Sequence, residues 1–192
     1  MNNFEFSPIF QKHNMIRIIT IVFLFIGINT QAQEINWMSM NEALEAQKEA
    51  PKKIFMDAYT VWCGPCKMLD KNTFTNSDVI EFVNKNYYPV KFNAEGPEEI
   101  DFKGQIFKNP QYNPEKTGRN SSHQLARALK ITGYPSLVFF DEEANLIAPI
   151  PGYRTPQQLE LYLKLFAKDE YKKMTSKEAF AEYQDNFEGS FE

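Results

Sequence analysis

Both cysteines of this 192-residue chain lie in one hexapeptide, Trp62–Lys67 (WCGPCK), as Cys63 and Cys66. Residues three positions apart share a face of one helical turn, and their α-carbons then lie within the separation that a disulfide requires. No third cysteine competes for either partner. The pair is therefore predicted to cycle between dithiol and disulfide, and this redox chemistry is the leading functional hypothesis.

Two other roles of the cysteine pair are weighed against redox chemistry. A structural zinc site takes about four protein ligands, and the only histidines that could complete one are His13 and His123. A purely structural disulfide is the second alternative, but closing so short a loop removes little chain entropy. Redox chemistry is favoured over both, and no metal or other cofactor is predicted.

Length and composition predict one domain with extensions. The chain is 43% hydrophobic and contains 17 phenylalanines, which is ample for a packed core. Its net charge is −4, and no basic stripe interleaved with aromatic residues is found. Nucleic acid is therefore not expected as a partner.

Residues 1–32 have the pattern of a signal peptide. A weakly basic stretch at 12–17 precedes eleven apolar residues at 18–28, and Thr30-Gln31-Ala32 offers a cleavage site before Gln33. Because a bilayer span needs about 20 apolar residues, an uncleaved membrane anchor is the less favoured alternative. No cysteine lies near the cleavage site, so a lipid anchor there is not expected. The protein is predicted to be exported to the periplasm, where disulfides persist.

The hydrophobic pattern predicts an α/β fold with a central mixed β-sheet flanked by helices. A capping box at Ser39 and Glu42 begins the first helix, and Thr155 with Pro156 begins the last helix of the domain. Predicted strands cover residues 54–59, 87–92, 136–140 and 146–150. Predicted helices cover 39–50, 63–69, a stretch that Ser77 caps, 124–130 and 155–168.

Two segments depart from this regular order. Residues 95–122 are rich in proline, glycine and asparagine, which predicts a loop-rich insertion. Its Phe102, Phe107 and Tyr112 are expected to cover the site, to select a partner or to pack the loop down. Residues 168–192 form a charged tail in which Thr175 is predicted to cap one more helix. The domain itself is predicted to span residues 33–167.

The hexapeptide and four other positions resemble the thioredoxin family. Asp57 lies where thioredoxins have a buried aspartate, and Lys91 lies where they have the lysine that faces it. Residues 133–136 (GYPS) are similar to their cis-proline loop, and Gly152 to the glycine before their last helix. The similarity covers roughly residues 34–167, and residues 66–93 look closer to exported thioredoxin-like reductase domains than to small cytosolic thioredoxins. It implies the thioredoxin fold.

The resemblance also assigns roles to the hexapeptide. Cys63 is the expected nucleophile, because a helix N-terminus favours its thiolate. Cys66, one turn further on and less exposed, is expected to resolve the mixed disulfide. Gly64 and Pro65 suit the beginning of a helix, and in this family they accompany reducing enzymes. Trp62 is expected to shield the dithiol and to offer an apolar docking face, or else to be a core aromatic residue.

Four further site residues follow from the same resemblance. Burial in an apolar strand should raise the pKa of Asp57, which then accepts the Cys66 proton, and Lys91 is its expected partner. Pro135 is expected to follow a cis peptide bond and to leave the Tyr134 backbone free to pair with a substrate strand. Tyr134 is bulkier than the aliphatic residue usual at that position, so substrate access is expected to differ.

The expected function is that of an exported thiol–disulfide oxidoreductase that reduces protein disulfides. Its partners would be disulfide-bearing protein substrates and an electron donor in the membrane. The alternatives are a disulfide oxidase or isomerase, and a non-catalytic peptide-binding module of the same fold.

Overall fold

The structure, a computed structural model, describes residues 34–192. The predicted signal peptide lies outside the described residues. Within them, no helix is long and apolar enough to cross a membrane.

The strands are β1 (Lys53–Tyr59), β2 (Tyr87–Asn93), β3 (Ile100–Phe102), β4 (Gln105–Phe107), β5 (Ser136–Phe140) and β6 (Leu146–Pro151). The helices are α1 (Met40–Glu49), α2 (Gly64–Asn72), α3 (Ser77–Asn86), α4 (Gln124–Ala128), α5 (Pro156–Ala167), a short 3₁₀ helix (Glu170–Lys173) and α6 (Lys177–Asp185).

Four of the strands form the central sheet, in the order β2-β1-β5-β6. β1 and β2 are parallel, whereas β5 is antiparallel to both of its neighbours. The register places Asp57 of β1 opposite Lys91 of β2 and Leu137 of β5. The central strand β1 therefore carries the candidate acid, and the neighbouring strand β2, at one end of the sheet order, carries its partner.

Each face of the sheet packs against helices. Ile54, Met56 and Ala58 of β1 belong to the core beneath α1 and α4, whereas Phe55 belongs to the core beneath α2, α3 and α5. This alternation is the period-two geometry of a strand that is buried on both faces. The predicted α/β fold, with a central mixed sheet flanked by helices on both faces, is confirmed.

Helix beginnings follow local side-chain chemistry, with two corrections. The predicted capping box at Ser39 is present, and the predicted cap Thr155 also forms a capping box, with Gln158. The cap of α3 is Asn76 rather than Ser77, because its side-chain oxygen accepts hydrogen bonds from two backbone N–H groups of the first turn. The helix predicted in the tail is α6, and its cap is Ser176 rather than Thr175.

The insertion at 95–122 is more ordered than its composition predicts. β3 and β4 form a hairpin whose turn residues, Lys103 and Gly104, both have positive φ angles. Phe107 is 8% exposed, and the Phe102 ring packs edge-on against Phe140 of the sheet at 5.9 Å. Of the three expected roles of Phe102 and Phe107, the structure supports packing the insertion down.

The tail packs against the domain. Glu160 of α5 is buried, and its carboxylate accepts hydrogen bonds from the backbone N–H groups of Ser190 and Phe191 at 2.7 and 3.1 Å. The Phe191 ring lies edge-on against Phe82 of α3 at 5.8 Å. These contacts hold residues 190–191 between α3 and α5, on the opposite side of the sheet from the hairpin.

Replacing Phe107 by alanine is expected to lower the free energy of unfolding by about 3 kcal/mol, because it removes a buried aromatic ring from the core beneath the hairpin. Tyr112→Ala, a change at a half-buried ring of the same insertion, is expected to cost clearly less. Urea denaturation of the oxidised protein measures both. Equal losses would contradict the proposal that Phe107 anchors the insertion.

Candidate active site

The cysteine pair forms a disulfide at the N-terminus of α2. Cys63 is the N-cap residue, and the backbone N–H of Cys66 donates to its Sγ at 3.1 Å. The two α-carbons lie 5.3 Å apart, within the usual range for a disulfide. Pro65 occupies the first turn of the helix, where its missing N–H leaves no backbone acceptor unpaired. The helix beginning expected from the hexapeptide is therefore present.

Both sulfur-bearing residues are almost completely covered. Cys63 is 2% exposed and Cys66 is 1% exposed, so the expected difference between them is negligible in this oxidised form. In the closed disulfide each sulfur shields part of the other. Gly64 and Pro65 between them are exposed, so they form the solvent-facing surface of the motif.

Asp57 and Lys91 form an ion pair between the neighbouring strands β1 and β2. The Lys91 Nζ donates to Asp57 Oδ2 at 2.7 Å, and the Asp57 side chain is completely buried. Its other oxygen, Oδ1, has no hydrogen-bond partner among the described residues. Since side chains alternate along β1, Asp57 shares a face with Phe55 and lies on the side of the sheet that α2 covers. The disulfide and the buried carboxylate are therefore associated with the same helix.

Burial dominates the ionisation of Asp57, whereas the neighbouring carboxylates decide that of Lys91. It raises the pKa of Asp57 to about 6, although the positive charge of Lys91 acts in the opposite direction. Burial also disfavours the charged form of Lys91, but the carboxylates of Asp57 and Asp70 outweigh it and raise the pKa of Lys91 above its usual value. Lys91 therefore stays charged at neutral pH, whereas Asp57 gains or loses a proton close to pH 6.

Asp70 is a member of this cluster that sequence reasoning missed. It is exposed on α2, and its Oδ1 accepts a second hydrogen bond from Lys91. The rings of Trp37, Tyr59 and Phe74 each lie 5.0 to 5.1 Å from the Lys91 Nζ, within the range of cation–π contacts. The sequence could have indicated Asp70 through its spacing from Cys66. Asp70 follows Cys66 by four positions, which places both residues on one face of the helix.

The loop before β5 lies beside Trp62. The Tyr134–Pro135 peptide bond is cis, and the Pro135 carbonyl accepts a hydrogen bond from the Gly152 N–H at 2.7 Å. Gly152 has a φ of +91°, a conformation that side-chain-bearing residues rarely adopt. The Tyr134 ring meets the Trp62 ring edge-on at 6.1 Å. The cis-proline loop therefore lies beside the tryptophan that directly precedes Cys63.

Trp62 belongs to neither apolar core, and besides Tyr134 it contacts two residues of the insertion. Its indole N–H donates to Glu95 Oε2 at 2.8 Å, and the Arg119 guanidinium lies 4.4 Å from its ring centre. Sequence reasoning missed both residues. Parallel strand order was the signal for Glu95, because residues that follow β2 emerge at the same sheet edge as residues that follow β1.

His123, the histidine considered as a zinc ligand, has a structural position. It is buried, its Nδ1 accepts from the Leu125 N–H at 3.0 Å, and its Nε2 lies 2.7 Å from the Glu98 carbonyl. It thereby caps α4 and holds the insertion. Among residues 34–192, no group of three or more histidine, cysteine, aspartate or glutamate side chains has an arrangement that could hold a metal ion.

Comparison with known families agrees with this geometry. Residues 40–167 match the family profile of the thioredoxin-like domain. The chain belongs to the thioredoxin-like family. Its members include thiol–disulfide oxidoreductases, and this thioredoxin-like chain carries the Cys63–Cys66 disulfide in the corresponding motif.

Individual relatives cover different shares of the chain. The disulfide bond reductase DsbH of Chlamydia pneumoniae is 30% identical over 120 residues, which is 61% of this chain and 63% of that protein. The chain spans less than two thirds of the length of the curated relatives it matches. A thioredoxin-fold protein from Helicobacter pylori superposes with a TM-score of 0.57 at 14% identity, covering 82% of this chain and 91% of its own. A thioredoxin from Thermus thermophilus superposes with a TM-score of 0.52 at 15% identity, covering 69% of this chain and 87% of its own. These two structures show the fold alone.

The buried Asp57 is expected to make stability fall as the pH rises. Between pH 4 and 7.5 the unfolded chain releases a proton that the folded protein retains up to about pH 6. The free energy of unfolding of the Asp57→Asn variant, relative to wild type, should therefore increase by roughly 2–3 kcal/mol over this range. Urea denaturation of the oxidised proteins at several pH values measures the difference. A difference independent of pH would contradict the raised pKa.

Proposed function

We propose that this protein is a thiol–disulfide oxidoreductase that reduces protein disulfides outside the cytoplasm. The observation that carries the proposal is the Cys63–Cys66 disulfide at a helix N-terminus, on the side of the sheet where Asp57 is buried. Such a site takes up two electrons when its disulfide becomes two thiols, and it releases them when the disulfide forms again. No cofactor is therefore required.

The first step belongs to Cys63. In the dithiol form its Sγ retains a position at the N-terminus of α2, where unpaired backbone N–H groups and the helix dipole favour the thiolate. The thiolate attacks one sulfur of a substrate disulfide. The substrate S–S bond breaks, a mixed disulfide forms with Cys63, and the other substrate sulfur leaves as a thiolate.

The second step belongs to Cys66. Asp57, with a pKa of about 6, is ionised at neutral pH and accepts the proton of the Cys66 thiol, directly or through water. The Cys66 thiolate then attacks Cys63 Sγ and releases the second substrate thiolate. Two electrons have passed to the substrate, and the protein is left with the disulfide that the structure contains.

The reducing direction and the compartment rest on different support. Gly64-Pro65 between the cysteines favours a reductase, and the similar protein of Chlamydia pneumoniae is itself a disulfide bond reductase. The apolar pattern of residues 18–28 supports export. In an oxidising compartment the dithiol must be regenerated, so we infer a membrane electron donor and disulfide-bearing proteins as the two partners.

The Cys66→Ala variant is expected to accumulate a mixed disulfide at Cys63 when incubated with a disulfide-bearing model protein, because the resolving thiol is absent. Non-reducing electrophoresis detects it, and Cys63→Ala is the matched control that should form none. Substrate bound only non-covalently would instead favour a peptide-binding module.

Redox titration of the Cys63–Cys66 pair against glutathione tests the direction of exchange. A reduction potential well above that of glutathione would favour an oxidase or isomerase over a reductase.

Proton transfer by Asp57 is tested by the pH dependence of the second step. Stopped-flow release of a coloured thiol from a Cys63 mixed disulfide measures the Cys66 attack. Asp57→Asn is expected to slow this release at least about tenfold at pH 7. Asp70→Asn removes a negative charge that raises the pKa of Asp57, so its rate should begin to rise at a lower pH than in wild type. Asp70→Glu keeps the charge and serves as the control. Profiles identical to wild type in both neutral variants would remove Asp57 from the mechanism.

A further inference from the structure

The insertion is fastened to the tryptophan that precedes the nucleophile. Glu95 is 8% exposed, and its Oε2 accepts hydrogen bonds from the Trp62 indole N–H and from the Asn120 backbone N–H, each at 2.8 Å. The Asn109 side-chain amide joins the two ends of the insertion, because it donates to the carbonyls of Glu95 and Ser121 at 3.2 and 2.7 Å. One carboxylate thereby determines both the orientation of the indole and the position of residues 119–121.

Arg119 is placed by this arrangement. Its guanidinium lies over the Trp62 ring, 4.4 Å from the ring centre, although the side chain is exposed. Stacking covers one face of the guanidinium and leaves the N–H groups along its edge available for hydrogen bonds. Among residues 34–192 Arg119 forms no ion pair within 4.0 Å and its side chain makes no hydrogen bond.

The carboxylates of the site are already engaged elsewhere. Glu95 accepts from Trp62 and Asn120, whereas Asp57 and Asp70 both pair with Lys91. Within the described part of the site Arg119 is therefore not paired with a carboxylate, although the nearby Glu95, whose two donors are uncharged, keeps its negative charge. A chain with a net charge of −4 thus presents a cation next to its reactive disulfide.

The position of Arg119 relates it to a bound substrate. Trp62 directly precedes Cys63, and its ring contacts both Arg119 and Tyr134. A polypeptide that brings its disulfide to Cys63 and lies along the Tyr134 backbone comes close to the guanidinium. A guanidinium fork binds a carboxylate through two parallel N–H···O hydrogen bonds.

We propose that Arg119 is a specificity-determining residue that selects disulfide substrates carrying an aspartate or glutamate next to the reacting cystine. This inference rests on the proposed function and names the substrate class of the same site. The insertion supplies the residue, and the bond between Glu95 and Trp62 holds it in place.

The test compares two cystine peptides that differ only in one residue next to the cystine, Glu or Gln. Wild-type protein should reduce the Glu peptide with a kcat/KM about fivefold higher, and added salt should weaken this preference because an exposed ion pair is screened. Arg119→Gln should lower the ratio of the two kcat/KM values to about one. Lys116→Gln removes an equal charge from the same insertion and should keep the wild-type ratio.

A second measurement separates this proposal from the proposed function. Peptides with serine in place of cysteine are titrated into the oxidised wild-type and Arg119→Gln proteins, and binding is followed by NMR shifts. One outcome is that neither cystine peptide is reduced but the serine-substituted Glu peptide binds more tightly to wild type than to Arg119→Gln. That outcome contradicts the reductase function and supports the role of Arg119 in selecting acidic substrates. If both cystine peptides are reduced without a Glu preference, or Lys116→Gln loses it equally, the role of Arg119 is overturned.

Discussion

The parallel pairing of β1 with β2 is the constraint on which the rest of the site depends. Parallel strands end at the same sheet edge, so the segment that leads to Cys63 and the segment that leads to Glu95 emerge side by side. The Ala94 N–H donates to the Tyr59 carbonyl at 2.9 Å and continues the pairing beyond the strand ends. The same register sets Asp57 opposite Lys91. One ladder of backbone hydrogen bonds thus places the disulfide, its buried acid and the insertion.

The site keeps a carboxylate where the fold by itself would favour an apolar residue. A buried ion pair rarely compensates for the desolvation of both charges, and one oxygen of Asp57 has no partner among the described residues. The proposed proton transfer gives a reason for retaining this carboxylate. A base with a pKa of about 6 is ionised at neutral pH, and its pKa is close enough to that of a thiol for a proton to pass between them. Lys91, held by Asp70 and three aromatic rings, supplies a constant positive charge.

Local signals were sufficient for most of the fold. The capping boxes at Ser39 and Thr155 and the apolar runs of the four sheet strands depend on neighbours within one or two helical turns or along one strand. The errors have physical reasons. Asn76 and Ser77 are both good cap residues, and it is the Asn76 side chain that accepts the hydrogen bonds of the first turn. β3 and β4 have three residues each, too few to show a period of two.

The sequence by itself determined the chemistry of the hexapeptide, because two thiols three residues apart at a helix N-terminus need nothing beyond one turn of backbone to form a disulfide. Only the tertiary structure decided which charges surround it. The hydrogen bond between Trp62 and Glu95 joins residues 33 positions apart, and that between Lys91 and Asp70 joins residues 21 apart. Such contacts depend on how strands, helix and insertion are assembled, and no local pattern encodes the distance between them.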